Sequence, residues 1–500
     1  MAAKIETETL TGDINIPSIQ PGATAHYKSN PAKEDHNKFL GFPGARVENW
    51  REAAVEHMGE LLGKYKSLRV FMDICVRCGS CADKCHYYIG TRDPNNMPVA
   101  RQELMRKVYR KYFTPAGKLL PDSLTGASEL TEAVMTEWYS YFHQCSQCRR
   151  CSVYCPYGID TAEVSMAARE IMDHVGIGQK YCNEILGKVL KVGNNLGIEP
   201  HALKNTLEFV EEDVKEVTGA DVRYPMDEKG ADVLLVAPSA DFFSTPHIEG
   251  FTGYGKVFHE AGVSWTVSSY ASEFANFGMF IGNYDTMKKV AQRIRDAALD
   301  LGVKRIVVGE CGHAWRVGYS FWNTLIGPFD FLDPKYPAPQ HICEFTLDLI
   351  RRDGLKLDKS ANDEFTVTFH DSCNVARGSR MGDMPGGQFE VPREIIKAVC
   401  NKYVEMDQNT IREFTYCCGG GGGLLTDELM DLRVKGVLPR ANALKEVMDR
   451  HGVNTMAMIC AICKAQFTKV LPNYGIPMET VASLHQLVSN AVVLGGKIGV

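Results

Sequence analysis

Thirteen of the seventeen cysteines fall into three constellations whose spacing could do chemistry. "CVRCGSCADKC" sets Cys75, Cys78, Cys81 and Cys85 in a C-x2-C-x2-C-x3-C array, and "CSQCRRCSVYCP" repeats it with Cys145, Cys148, Cys151 and Cys155. This spacing suits a [4Fe–4S] cube. Three thiolates on a short curved loop grip three irons, and the fourth cysteine begins the next helix and reaches the neighbouring cluster. The spacing predicts one cube on Cys75, Cys78, Cys81 and Cys155, and a second on Cys145, Cys148, Cys151 and Cys85. His86 stands where a proline usually follows the first run. Structural zinc is the rival, but zinc takes four ligands, normally as two separated pairs, whereas two complete runs occur here. Two cubes make a one-electron relay and do not say what is reduced.

The third constellation is Cys373 in "HDSC", the adjacent pair Cys417–Cys418 and the "CAIC" pair Cys460 and Cys463. Adjacent cysteines make a poor disulfide, because bridging neighbours strains the peptide. Five glycines, Gly419 to Gly423, follow the pair. They permit unusual dihedrals and let backbone N–H groups approach sulfur closely, as a cluster bed requires. No Gly-Lys-Ser/Thr follows, which disfavours a phosphate loop. Five thiolates exceed the four of tetrahedral zinc or an ordinary cube, so one or two of them could instead be packing residues.

These residues need elements to hold them. Residues 51–68 carry an apolar stripe, Ala53, Ala54, Met58, Leu61 and Leu62, that predicts a helix. "VARQELMRKVYRKYF", "TAEVSMAAREIMDHVG" and about 180–217 read as further helices. Beyond residue 230, "DVLLVAPS", "VSWTVSS", "KRIVVGEC", "FTVTFHDSC" and "NTMAMICAIC" read as buried strands separated by helices, an α/β pattern with a mainly parallel sheet. "DLGVKRIVVGECGHA" (300–314) and "DRHGVNTMAMICAIC" (449–463) share a helix end, a Gly-Val and a strand running into a polar cluster, which points to two similar halves. A gapless alignment sets Glu310 and His313 opposite Cys460 and Cys463. The first half, with Cys311 alone, reads as a remnant; a metal or acid–base site from Glu310, Cys311 and His313 is the alternative. The expected organisation is an extended arm over 1–50, a helical two-cluster domain over 51–229, and α/β halves over 230–355 and 356–490. The fold class is thus α+β and multi-domain.

The totals agree with such a protein. Five hundred residues allow two to four domains at roughly 100–200 residues each. Hydrophobic residues make up 45%, charged residues 23%, and the formal net charge is −6, which excludes a generally basic nucleic-acid binder. The start, "MAAKIETETLTGDINIP", lacks the basic and apolar regions of a secretory signal, and no apolar run of about 18 residues could span a bilayer. The chain reads as cytoplasmic, where clustered thiols mean metal or redox chemistry rather than disulfides. The basic residues Arg101, Arg106, Lys107, Arg110 and Lys111 read as a solvated helix face, with partner docking as the alternative. Cys182, Cys343 and Cys400 read as buried small hydrophobes.

The constellation C…CCG…CxxC, here Cys373, Cys417-Cys418-Gly419 and Cys460/Cys463, resembles the cysteine-rich CCG domain of heterodisulfide reductases. That domain also occurs in iron–sulfur subunits of glycolate, lactate and glycerol-3-phosphate oxidation systems. A two-cubane, ferredoxin-like module followed by two CCG halves is similar to the fused catalytic chain of heterodisulfide reductases, and within that group to the DsrK-type subunit of the DsrMKJOP membrane complex of dissimilatory sulfur metabolism. The resemblance implies that Cys373, Cys417, Cys418, Cys460 and Cys463 bind a non-cubane [4Fe–4S] cluster where a substrate S–S bond is cleaved. It implies electrons from a quinol-linked haem b subunit (DsrM-like), other DsrMKJOP subunits as partners, the sulfur carrier DsrC as substrate, and a peripheral place on the inner face of the cytoplasmic membrane. His370 and Lys464 flank the five cysteines and could supply a proton or steady a thiolate. The alternatives are an electron-carrier subunit of a hydroxy-acid or glycerol-3-phosphate oxidation system, and a non-catalytic electron-transfer scaffold.

Overall fold

The computed structural model describes residues 46–274 and 276–495, so the arm expected over 1–50 lies outside the described residues as far as residue 45. The helices Trp50–Lys64, Lys66–Ile74, Pro98–Phe113, Glu132–His143 and Thr161–His174 enclose a core of their own around Met58, Trp138, Phe142 and Ile171. Of the predicted stripe, Ala54, Met58, Leu61 and Leu62 are buried in that core. Side-chain caps fix where helices begin. Thr131 accepts from the Val134 N–H, and Asp160 accepts from the Ala162 and Glu163 N–H groups.

The basic stretch is a solvated face only in part: Lys107 is exposed, but the others turn to partners. Arg101 is 1% exposed, with Nη1 3.5 Å from the Cys85 sulfur. Arg106 donates to the Met72 carbonyl and to Glu103, Arg110 to Glu103, and Lys111 to Asp122. The helix expected over about 180–217 is two helices, Lys180–Val192 and Pro200–Thr218. Gly193 ends the first at φ 89°, packed so closely on the Tyr270 carbonyl that no side chain would fit. Leu186, Val189, Leu203, Leu207 and Val210 from these helices join the large core that runs through the α/β region.

Among the described residues seven short strands follow: β1 (Val233–Val236), β2 (Trp265–Thr266), β3 (Arg305–Val308), β4 (Gln340–His341), β5 (Val367–His370), β6 (Thr455–Met458) and β7 (Val481–Ser483). They form two sheets, ordered β2-β1-β3-β4 and β5-β6-β7, and every ladder is parallel. β1, β5 and β6 are buried at every position; β1 is wholly apolar, while Thr368 and His370 interrupt β5 and Thr455 opens β6. β4 and β7 escaped the sequence reading because two or three residues carry no period. The sheets match: β3 lies between β1 and β4 as β6 lies between β5 and β7. The halves also embrace reciprocally. Helix His247–Glu260, from the first half, packs on Leu484–Ala491 of the second, and Gly387–Val399 of the second packs on Ile342–Arg351 of the first.

The helical region docks on the second half through glycines. Helix His86–Thr91 crosses helix Met430–His451, and a β-carbon on Gly90 would overlap the Lys435 carbonyl. At Gly436 an added carbon would enter the Tyr87 ring. Gly90→Ala is expected to destabilise the protein by about 1–3 kcal/mol, read as a lower urea midpoint. Gly63→Ala is the control: its β-carbon meets nothing within 4 Å, so the midpoint stays or rises slightly.

Candidate metal centre

Both predicted cubane sets come together. Cys75, Cys78, Cys81 and Cys155 line one cavity, and Cys85, Cys145, Cys148 and Cys151 line another. The two loops repeat one backbone pattern, with left-handed residues at Arg77 (φ 57°) and Gly79 (φ 80°) and again at Gln147 (φ 56°) and Arg149 (φ 62°). Non-glycine residues seldom adopt this conformation, and its recurrence in both loops curls each around a common centre. Burial alone would lower the Arg101 guanidinium's pKa, yet the Cys85 and Cys145 thiolates hold it above its ordinary value.

The five late cysteines also meet, all at most 4% exposed. Cys373 opens the short helix Cys373–Ala376 after β5, and Cys460 caps helix Ala461–Val470 after β6, with Cys463 in its first turn. Cys373 and Cys417 sulfurs are 3.9 Å apart. Cys417 accepts from the Gly419 N–H at 3.3 Å and Cys418 from the Gly420 N–H at 3.4 Å. Thiol contacts continue from Cys417 to Cys418, Cys463 and Cys460. The hydrogen bond from Cys417 pushes Cys418 well below the usual thiol range, and those from Cys311 and Cys463 do the same to Cys460. So many thiols within one buried volume cannot all ionise without cations among them, and an iron–sulfide core supplies such cations.

The glycine run fits its surroundings residue by residue. A β-carbon on Gly421 would lie 2.9 Å from His313 Nε2, and one on Gly422 would lie 2.6 Å from the Cys145 carbonyl. At Gly423 it would strike Gln179. Arg169 fastens the loop: its guanidinium donates to the carbonyls of Gly422, Phe280, Cys145 and Phe142. Arg377 joins the same parts, donating to the Cys148 carbonyl at 2.8 Å and to those of Glu413 and Thr415 at 2.7 Å. The ligand atoms of His86, Cys148 and Cys417 lie within 4.8 Å of one another, so the second cubane set adjoins the five-cysteine set. His86, in place of the usual proline, bonds the Gly436 carbonyl at 2.7 Å and Ser146 at 2.8 Å.

The flanking residues stand differently from expectation. His370 is fully buried at the end of β5, edge-on to Phe467, and burial pushes its pKa well below the ordinary range, so it stays neutral. Lys464 is locked 3.2 Å from Glu310 and 3.7 Å from Asp241; burial alone would lower its pKa, but the two carboxylates raise it. Glu310 also accepts from Ser483 and from His485 Nδ1 (2.7 Å) and N (2.9 Å). Its carboxylate, with Cys343 and His485, forms a group compact enough for a metal, but the Lys464 ammonium already fills the cationic role. Glu310, Cys311 and His313 therefore do not act as one trio. Cys311 and His313 instead contact Cys460. Cys182, Cys343 and Cys400 are buried, as expected. A cavity of about 990 Å³ lies elsewhere, lined by His57, Glu170, Tyr284 and Arg293 and, among the described residues, by no cysteine. Sequence reasoning missed Arg169 and Arg377, and took Arg101 for a surface residue. Nothing in their spacing marks them, because their partners are mostly backbone carbonyls distant in the chain.

Comparison with known proteins agrees with this geometry. The family described as 4Fe-4S dicluster domain matches residues 71–159, and the Cysteine-rich domain family, CCG, matches residues 367–468. An Hdr-like menaquinol oxidoreductase iron-sulfur subunit 2 of Archaeoglobus fulgidus is 44% identical over 477 residues, covering 89% of this chain and 84% of that protein. The Hdr-like menaquinol oxidoreductase iron-sulfur subunit of Archaeoglobus profundus is 43% identical over the same shares. A subunit of the dihydromethanophenazine:CoB–CoM heterodisulfide reductase of Methanosarcina mazei is 26% identical, covering 85% of this chain and 95% of that one. No solved structure matches. Among the described residues no helix is long and apolar enough to cross a membrane. With a dicluster domain ahead of a CCG domain and 44% identity across most of both chains, the protein belongs to the family of Hdr-like menaquinol oxidoreductase iron–sulfur subunits, heterodisulfide reductase-like oxidoreductases.

Proposed function

We propose that this chain is the catalytic iron–sulfur subunit of a membrane-associated complex, passing electrons from a quinol-linked haem partner to a disulfide or trisulfide. The contact between Cys148 and Cys417 carries the reading, because it sets a cubane loop directly against the five-cysteine site. Cys75, Cys78, Cys81 and Cys155 would hold the first cube, near the surface where Cys78 is exposed. Cys85, Cys145, Cys148 and Cys151 would hold the second, and Cys373, Cys417, Cys418, Cys460 and Cys463 a non-cubane [4Fe–4S] cluster. When bound, these clusters supply one-electron steps and, at the last, iron that takes sulfur.

The chain's own residues do the rest. Splitting RS–SR′ needs two electrons and two protons and yields RSH and R′SH, so two single-electron arrivals must be gathered at one enclosed site. The buried loop Cys417–Gly423 keeps water from the sulfurs and holds them by its N–H groups. Neither His370, buried and neutral, nor Lys464, ion-paired, has a free proton to give, so the protons come with the substrate or with solvent that accompanies it. The substrate is the protein-borne sulfur of a DsrC-type carrier, and the partners are a DsrM-like haem b protein and other DsrMKJOP-type subunits on the inner face of the cytoplasmic membrane. Similarity to the Hdr-like subunits and to the methanogen heterodisulfide reductase favours this over hydroxy-acid or glycerol-3-phosphate oxidation.

Anaerobically prepared protein is expected to contain about twelve irons and as many sulfides per chain, from three sets of four. Cys417→Ser should remove roughly four irons and the EPR signal of the oxidised third cluster while sparing the cubanes; about eight irons in the wild type would remove the proposed site. In turnover, the reduced wild-type protein should cleave the disulfide of a DsrC-type carrier. Cys417→Ser should fall at least a hundredfold, a loss of about 2.7 kcal/mol in transition-state stabilisation. Equal activity in the two proteins would refute the assignment.

A further inference from the structure

Pseudo-symmetry makes the first half look like a spent copy of the second, yet its closest approach to the five cysteines is chemical. The loop after β3 is one residue longer than the loop after β6, so Cys311, not Glu310, takes the position of Cys460. Both cap the following helix with extended dihedrals, φ −135° and ψ 104° at Cys311, φ −146° and ψ 120° at Cys460. The two caps meet across the interface between the halves. Gly312 packs beside them: a β-carbon there would lie 3.3 Å from Val375 and in ordinary contact, 3.6 Å, with the Cys460 sulfur.

Three side chains then point from the first half to the site. Cys311, the helix cap, brings its thiol against the Cys460 sulfur. His313, 2% exposed, places Nδ1 3.7 Å from the Cys460 sulfur, while its Nε2 has no hydrogen-bond partner and abuts Gly421. A thiolate only accepts, so the ring nitrogen facing it must carry the hydrogen. Arg316 lies one turn further on, 1% exposed, and donates from Nη1 to Asn374 Oδ1 at 2.9 Å. That bond fixes the amide of Asn374 so that its Nδ2 faces the Cys373 sulfur at 3.6 Å. Two of the five sulfurs are thus served from residues 311–316.

We propose that the segment Cys311–Arg316 of the first half tunes the five-cysteine cluster of the second, with His313 and the Arg316–Asn374 pair as positioning residues that donate hydrogen bonds to Cys460 and Cys373. The inference rests on the reading that these cysteines hold an iron–sulfur cluster. Hydrogen bonds to ligand sulfur stabilise the electron-rich form, so they raise the reduction potential. The first half would then set how readily the site gathers its electrons, although it holds no cluster itself.

The test is a redox titration of anaerobic holoprotein followed by EPR, with iron content measured on the same samples. His313→Phe keeps a ring and loses the donor. Its third-cluster midpoint should fall, so that the ratio of reduced to oxidised cluster at the wild-type midpoint drops about tenfold, the size of one charge-assisted hydrogen bond. His313→Asn places an amide nitrogen near the old Nδ1 and should recover most of the shift. Asn374→Asp removes the donor to Cys373 and should shift the midpoint in the same direction, with altered g-values. Unchanged midpoints and g-values in His313→Phe and Asn374→Asp, at full iron content, would overturn the proposal. If both His313 variants lose the cluster, Asn374→Asp decides by the same criterion. A wild-type protein with no third-cluster signal would instead sink the cluster reading, and this inference with it.

Discussion

The structure turns on a backbone approach that only glycine permits. Residues 419–423 thread between the second cubane loop, the first α/β half and helix Ala461–Val470, and at 421, 422 and 423 the space of a β-carbon already belongs to His313, the Cys145 carbonyl or Gln179. Arg169 closes the same junction by binding carbonyls from three separate stretches, Phe142 and Cys145, Phe280, and Gly422. Removing a guanidinium from water costs several kcal/mol. Burial brings Arg169 down to about 10, which leaves it charged at neutral pH, and its charge-assisted bonds offset the cost only while all these stretches are in place. Arg169 thus ties the second cubane loop to the glycine loop that follows Cys417 and Cys418.

The charges around this junction have a common logic. Among the described residues, six of the twelve largest fully buried side chains are arginines, yet only Arg393 has a buried carboxylate partner, Asp371, at 2.8 Å. Arg169 is held by carbonyls, Arg316 by Asn374, and Arg440 by the Thr410 carbonyl and Thr415. Burial drives Arg316 down to about 9 and Arg440 to about 10. Such cations would be costly in an ordinary apolar core. Beside thirteen cysteines proposed to hold anionic iron–sulfur clusters they would serve as counter-charges.

Much of this was legible in the chain, for identifiable reasons. Metal-ligand spacing is local, so "CVRCGSC" and "CSQCRRC" announce their loops, and the structure repeats even their left-handed residues. Short buried strands rich in apolar and β-branched residues stand out between helices, so β1, β3, β5 and β6 could be placed. What escaped depends on contacts remote in sequence. Charge count alone made 101–111 a surface, whereas Arg101 and Arg106 turn inward to a thiolate and a carbonyl. A one-residue difference in loop length, invisible to a gapless alignment, moved Cys311 into the place assigned to Glu310.

That displacement explains why the two halves could diverge without separating. Had Glu310 stood at the cap, a carboxylate would face Cys460 and repel any anionic cluster there. One residue of extra loop carries it instead to the far side, where Lys464, His485 and Ser483 of the second half satisfy both its oxygens. Its carboxyl stays ionised at about 2: burial would raise it, but Lys464 and His485 outweigh burial. Breaking such a buried pair costs about 3–5 kcal/mol. Lys464 directly follows Cys463, so the same ion pair that joins the halves also fixes the first turn of the cysteine-bearing helix. Cohesion between the halves and geometry at the sulfurs are then one constraint, and a change that loosens either is felt at both.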